Sequence, residues 1–233
     1  MSGQGTMTAQ RRMGSDAENR ALTGLLRGLW PSLPALLLGS VAVCLAGVVT
    51  ELIAPGISPV AVLLAALLVS PFLLALMGVL DEVGVHGEAG VATWWHTLHN
   101  HWRFAVKHAL PAAVPMAIAL VSLRIWVRTS SLLVLPSLAV TGGCAVVGGL
   151  GLLAVLSLGV ARPDLRGRLL WICALHLIAR QPLRFLAAPC VAGLGIWAAT
   201  HWTASLLLLV PAPAMVMTVA AVRTTLLRFA ASQ

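Results

Sequence analysis

The chain has 233 residues, of which 59% are hydrophobic and 9% are charged. Soluble domains carry about 25% charged residues, so this composition excludes an ordinary soluble domain and indicates an integral membrane protein. The formal net charge of +8 does not indicate a nucleic-acid partner, because the 14 arginines and the one lysine stand mostly at the ends of apolar runs.

The N-terminus is polar. Residues 1–16 are rich in Gly, Ser, Thr and Gln and cannot form a core, so we expect a disordered cytoplasmic tail. Residues 17–233 are predicted to form a single transmembrane domain. This domain begins with a short amphipathic helix ending near Leu29, on which leucines lie opposite Arg20 and Arg27.

Six apolar runs are long enough to cross a bilayer, since about 20 helical residues span a hydrocarbon layer of ~30 Å. The predicted spans are about 30–52, 60–80, 110–127, 132–160, 182–200 and 205–222. We therefore predict an all-α, polytopic transmembrane bundle of about six spans, arranged in three hairpins and accompanied by interfacial amphipathic helices.

Local sequence features add detail to these spans. Asp81 and Glu82 are expected to begin a loop between spans 2 and 3. Glycines crowd the middle of span 4, which favours either the close approach of another helix or a break over a cavity. Pro211 and Pro213 are expected to kink span 6.

A basic, tryptophan-rich segment, 94–108, precedes span 3. Its spacing predicts a helix lying at the headgroup level, with its charges toward anionic lipid or a partner. The predicted apolar side contains Trp95, Leu98, Trp102, Ala105 and Ala109, and the polar side contains His96, Asn100, Arg103 and Lys107. A second basic segment, 169–184, precedes span 5 and contains Arg180 and Arg184.

The basic residues predict the orientation of the chain. With an even number of spans, thirteen of the fifteen lie on the side of both termini, and only Arg124 and Arg128 lie on the other side. Because basic residues accumulate in cytoplasmic segments, both termini are predicted to be cytoplasmic. The expected location is the inner (plasma) membrane of the cell, as a multi-pass protein.

Histidines are concentrated in one region, since five of the seven lie between residues 86 and 108. His96 and His99 stand one helical turn apart, and with Glu82 or Glu88 they are candidate ligands for a transition metal such as Zn²⁺. Alternatively, protonation of these histidines as the pH falls would tighten the helix on anionic lipid. The simplest interpretation is that these histidines tolerate the partly hydrated membrane interface. Under this interpretation neither a metal nor a cofactor is predicted.

Signatures of membrane enzymes are absent from the sequence. There is no HExxH or GxSxG motif and no pair of carboxylates within a span, so no catalytic residue is predicted. Glu51 is the only acid placed in a span, at its outer end, which argues against ion-coupled transport. The four cysteines lie in apolar runs at irregular spacing and indicate neither disulfides nor a metal site.

Three stretches of this chain together follow a known order of features: a proline-and-small-residue exit from span 2, an aromatic and basic helix before span 3, and a second interfacial helix followed by a proline-containing last span. They are Ser70-Pro71 with Ala75 and Gly87-Glu88; Trp94-Trp95-His96-Thr97-Leu98 through Trp102-Arg103-Phe104; and Ala174-Leu175-His176 through Arg180-Gln181-Pro182-Leu183-Arg184, with Pro211, Pro213, Arg223 and Arg228 beyond. This order resembles the YesL-like integral membrane family, bacterial proteins found beside carbohydrate ABC transporters.

The resemblance implies a non-enzymatic accessory or assembly component of a carbohydrate ABC transport system, with permease or ATPase subunits as partners. A face that docks a partner or anionic lipid headgroups is expected at Trp94, Trp95, Trp102, Arg103, Lys107, Arg180 and Arg184. The alternative is an autonomous small-solute transporter or channel lined by the glycine-rich span 4. Either function is compatible with a homo-oligomer.

Overall fold

The computed structural model of the protein describes residues 23, 24, 26–162, 164, 165 and 167–230. The tail predicted at 1–16 and the beginning of the amphipathic helix predicted at 17–29 lie outside the described residues. Residues 26–29 are helical and lead into the first span.

The described residues form helices and contain no β-strand. The α-helices are α1 (Leu33–Ile53), α2 (Pro59–His86), α3 (Val91–Thr129), α4 (Leu135–Ala161), α5 (Arg168–Arg180), α6 (Pro182–His201) and α7 (Pro211–Ala230). Short 3-10 helices, Leu132–Val134 and Ala204–Leu209, precede α4 and α7.

Among the described residues, six helical segments are long and apolar enough to cross a membrane. They are α1, α2, α3, α4 with the 3-10 turn before it, α6, and the segment Ser205–Leu227 that includes most of α7. With 13 residues, α5 is only about 20 Å long and is not one of them. The predicted all-α, six-span architecture is therefore confirmed.

The prediction that a loop begins at Asp81 is wrong, because α2 continues to His86. Its last two turns tolerate two acids because both have partners. Asp81 accepts hydrogen bonds from Arg223, and Glu82 pairs with His86 at 3.0 Å, one helical turn away. The helix ends at Gly87, whose φ of 86° is left-handed, a conformation that glycine adopts without strain.

The prediction of a separate interfacial helix at 94–108 is also wrong. This segment and span 3 form one continuous helix of 39 residues, α3, which contains Pro111 and Pro115 without ending at either. At about 1.5 Å per residue, α3 is about 58 Å long, far more than the ~30 Å of a hydrocarbon layer. The extended α2 packs along α3, and this neighbour supports the helix past the prolines.

Pro211 and Pro213 do not kink a single helix as predicted. Pro211 is the first residue of α7, and the segment before it is a 3-10 helix. Proline is favoured at the first helical position, because its fixed φ suits the helix and the N–H that it lacks would have no partner there. The two prolines therefore mark the beginning of α7.

The hydrophobic core is centred on α2. All residues from Leu74 to Leu80, including Gly78, are buried. This part of α2 is therefore enclosed on all sides. Around it lie α1, α3, α4 and α7. A second cluster of buried side chains joins α4, α5, α6 and α7, with Leu170 and Phe185 among its members.

Contacts between distant segments define two ends of the bundle. At one end, Ser32 before α1 accepts a hydrogen bond from the Ala89 amide of the α2–α3 loop, and Arg223 of α7 binds Asp81 of α2. At the other, Arg124 of α3 donates a hydrogen bond to the carbonyl of Ile57 in the α1–α2 loop. The first, called here the basic end, carries Arg27, Arg103, Lys107, Arg162, Arg168, Arg180, Arg184 and Arg223.

Candidate functional site

The N-terminal half of α3 carries most of the predicted docking residues, but its buried side differs from the predicted one. The buried residues of this half are Trp94, Thr97, Ala105, His108 and Ala109. Trp95 and Trp102, predicted to face inward, are 63% and 46% exposed. At 100° per residue, the helix is turned by roughly a quarter of a revolution from the prediction. The predicted apolar side is therefore correct for Ala105 and Ala109, which are buried, and wrong for Trp95 and Trp102.

Trp94 is a core residue. Its ring stacks on Phe72 of α2, with 6.2 Å between the ring centres, and a methyl group at Gly39 of α1 would lie 3.2 Å from its indole nitrogen. One helical turn later, Thr97 packs against Gly78, where an added methyl group would lie 2.5 Å from the threonine methyl. Glycines on neighbouring helices thus receive both side chains, so Trp94 is not available to the predicted docking face.

The other predicted docking residues of α3, together with His99, which was a candidate metal ligand only, form an exposed strip along the helix. We call it the docking strip; it consists of Trp95, His99, Trp102, Arg103 and Lys107, all exposed. The guanidinium carbon of Arg103 lies 5.3 Å from the centre of the Trp102 ring, within the range of a cation–π interaction. Tryptophan and arginine dominate the energetics of protein contacts, and together they also suit an anionic headgroup layer.

Arg180 and Arg184, predicted beside this face, lie at the same end of the bundle in other elements. Arg180 is exposed in the last turn of α5, a helix that packs mainly against α4. Arg184 is half-buried in the first turn of α6 and donates a 2.7 Å hydrogen bond to the Thr224 hydroxyl of α7. Arg184 therefore has a structural contact that the sequence did not indicate.

Next to the docking strip, a cavity of about 360 Å³ opens between α3, the end of α4 and the loop before α5. The α3 residues that line it are His101, Arg103, Phe104, Lys107 and His108. His108 donates from Nδ1 to the Phe104 carbonyl at 2.9 Å, and the two rings pack with 4.3 Å between their centres. His101 and His108 were not predicted as site residues, although their i, i+7 spacing places both on one side of a helix.

The described residues contain no group of three or more His, Cys, Asp and Glu side chains that could hold a metal ion. Two of the four candidate ligands are engaged elsewhere: His96 accepts a 2.9 Å hydrogen bond from the Asn100 amide through Nε2, and Glu82 pairs with His86. The structure does not assemble the proposed metal site at His96 and His99.

Comparison of the chain with protein-family models, with curated proteins and with solved structures gives no significant match. The resemblance to the YesL-like family therefore stays a prediction, and function is argued from the site itself.

Proposed function

We propose that the protein is a non-enzymatic accessory or assembly component of a carbohydrate ABC transport system in the bacterial plasma membrane. In this proposal the docking strip binds a permease or ATPase subunit, and both termini face the cytoplasm. The observation that carries the proposal is the pair of exposed tryptophans, with Arg103 against Trp102, on a helix longer than a bilayer requires. The choice of partner rests on the resemblance to the YesL-like family.

The length of α3 supports a docking role. If Arg124 lies at the far interface, about 20 residues toward the N-terminus cross the hydrocarbon layer, and the turns before them extend beyond it. These turns carry four of the five docking-strip residues, all except Lys107, and remain helical because Trp94 and Thr97 fix them to α1 and α2. A rigid, prearranged surface loses little conformational entropy when it binds a partner.

The channel alternative has less support. The glycine-rich helix α4 is continuous, and two of its central glycines are covered by neighbouring helices: Gly148 packs on Ala112 of α3, and Gly151 packs on Trp171 of α5. A cavity of about 410 Å³ between α1 and α7 is lined by apolar side chains, with Ser40 as the one hydroxyl among its lining residues. Conducting a polar solute requires polar surface along the path.

Purification of the tagged full-length protein from membranes of its own host, followed by quantitative mass spectrometry, tests the proposal. We expect a permease and its ATPase at fixed stoichiometry. The double variant Trp95→Ala/Trp102→Ala should reduce their recovery at least about tenfold, because truncated contact tryptophans commonly cost that much affinity. The control is Trp197→Ala/Trp202→Ala, which removes two exposed tryptophans at the other end of the bundle.

Two results would count against the accessory function. Equal recovery of the partners with both double variants would remove the docking strip from the interaction. Purification of the protein alone, as a defined oligomer, would favour the channel and call for flux measurements in liposomes.

A charge reversal, Arg103→Glu/Lys107→Glu, should release the partner without unfolding the spans, as judged by the melting temperature.

A further inference from the structure

The cavity beside the docking strip has a cationic lining. Arg103 and Lys107 lie one helical turn apart on one side of it, and His101 and His108 lie on the other, with the Phe104 ring between them. None of the described residues that line it is a carboxylate. Two fixed positive charges that face a shared space without a counter-ion repel each other, and an anion placed between them removes this repulsion.

Several hydrogen-bond donors meet at this cavity. An arginine fork and a lysine ammonium are the side chains that most often bind phosphate. His101 Nδ1 is buried and has no hydrogen-bond partner among the described residues. Gly167, which also lines the cavity, precedes the first turn of α5 and has no side chain to cap the amides of that turn. Such amides favour anions.

The cavity also has an apolar floor. A methyl group at Gly159 of α4 would overlap the Phe104 ring, so this ring is seated directly on the α4 backbone. Leu165 of the α4–α5 loop adds a second apolar side chain. The volume of about 360 Å³ exceeds that of a phosphate ion and leaves room for its ester substituents.

From this geometry we propose that the cavity binds a phosphate group, held by Arg103 and Lys107 with His101 and the first-turn amides of α5 as further donors. The phosphate can belong to an anionic phospholipid headgroup or to a soluble phosphate compound, because both present the same oxygens. The site shares Arg103 and Lys107 with the docking strip, but His101 and Gly167 belong to the cavity alone, and Trp95 and Trp102 belong to the strip alone.

The test uses the delipidated full-length protein. In one arm it is reconstituted into nanodiscs of phosphatidylcholine, alone or with a minority of phosphatidic acid, and retained lipid is counted by native mass spectrometry. In the other arm inorganic phosphate is titrated in neutral detergent, and the melting temperature is followed. We expect either one phosphatidic acid per protein or a saturable rise in melting temperature with phosphate. The arm that responds identifies the source of the phosphate.

Matched variants decide whether binding occurs in the cavity. Arg103→Gln and Lys107→Gln should each weaken binding about tenfold, since each removes a charge-assisted hydrogen bond. Arg162→Gln removes the same charge from the same end of the bundle, from an arginine paired with Asp164 and outside the lining of the cavity. It should leave binding unchanged. Loss of binding in all three variants to the same degree, or no binding in either arm, would overturn the proposal.

Two further variants separate this proposal from partner docking. His101→Gln should weaken phosphate binding and leave recovery of the partner unchanged, whereas Trp95→Ala/Trp102→Ala should do the reverse. Melting temperatures and gel-filtration profiles confirm that each variant is folded. Unaltered phosphate binding by folded His101→Gln, Arg103→Gln and Lys107→Gln would remove the site whether or not a partner is found.

Discussion

Asp81 and Arg223 form an ion pair between two distant helices at the basic end. Arg223 donates to the Asp81 carboxylate through two nitrogens, at 2.8 and 3.2 Å, and also to the Asp81 carbonyl. The two side chains are only 19% and 21% exposed, and the guanidinium lies over Gly84, where an added methyl group would overlap it. This pair joins α2 to α7, two helices that are far apart in the sequence.

Removing one partner of this pair should destabilise the bundle. We expect Asp81→Asn to lower the free energy of unfolding by about 1–3 kcal/mol, less than for a fully buried pair because some exposure remains. The control is Asp164→Asn, since Asp164 is 64% exposed and its contact with Arg162 measures 3.9 Å. Its effect should stay below about 0.5 kcal/mol. Equal losses in equilibrium unfolding in mild detergent would show that the pair contributes nothing specific.

The glycines of α4 have different surroundings, and matched substitutions within this one helix should show it. Gly159→Ala places a methyl group in the Phe104 ring, so we expect a loss of about 1–3 kcal/mol from overpacking. Gly142→Ala meets no atom within 4 Å and should be neutral or stabilising by up to about 1 kcal/mol, because alanine favours helix. Melting temperatures measure both. A Gly142→Ala variant as unstable as Gly159→Ala would contradict these surroundings.

At the scale of elements, the sequence was sufficient for the spans because each is a long run of apolar residues bounded by charges or turns. It was insufficient for the rotation of α3. Trp94 and Trp95 are adjacent and equally apolar, so the periodicity of α3 alone does not select between them. The choice depends on Gly39 and Gly78, which lie on other helices and leave space for Trp94 and Thr97.

The two segments predicted as interfacial helices show why the ends of helices were harder to predict. Within the segment 169–184, the helix α5 does end, at Arg180, and Pro182 begins α6. The segment 94–108 continues through Pro111, because the long α2 lies alongside it. A proline in sequence indicates a possible helix end, but a neighbouring helix decides whether the helix stops there. The candidate cavity was not predictable for a similar reason, since its lining comes from three separate elements.

The continuity of α3 can be measured directly. Spin labels at His96→Cys and Ile125→Cys, both exposed positions, should lie about 43 Å apart along a continuous helix. A right-angled bend near Leu110, as expected for a helix lying flat at the headgroups, would shorten the distance to about 31 Å. Pulsed electron–electron double resonance, with the native cysteines removed, measures this distance. The shorter value would contradict the continuous helix.

For the whole molecule, the two proposed sites share one end of the bundle. The basic end holds the docking strip, the cationic cavity and the Asp81–Arg223 pair, whereas the described part of the opposite end has Arg124 and Arg128 as its only arginines and lysines. Arg124 is held there by the Ile57 carbonyl. This asymmetry supports the proposed cytoplasmic placement of the basic end, where anionic lipids and the proposed ATPase subunit would both be accessible.

The orientation is tested by single cysteines in a background without the four native ones. Ile57→Cys lies in the exposed α1–α2 loop, and Glu88→Cys lies in the exposed α2–α3 loop at the basic end. On intact cells a membrane-impermeant maleimide should label Ile57→Cys and not Glu88→Cys, because basic segments remain on the cytoplasmic side during insertion. After permeabilisation both should react, which controls for accessibility. The opposite pattern would put the docking strip and the cavity outside the cell, and no contact with an ATPase subunit would then be feasible.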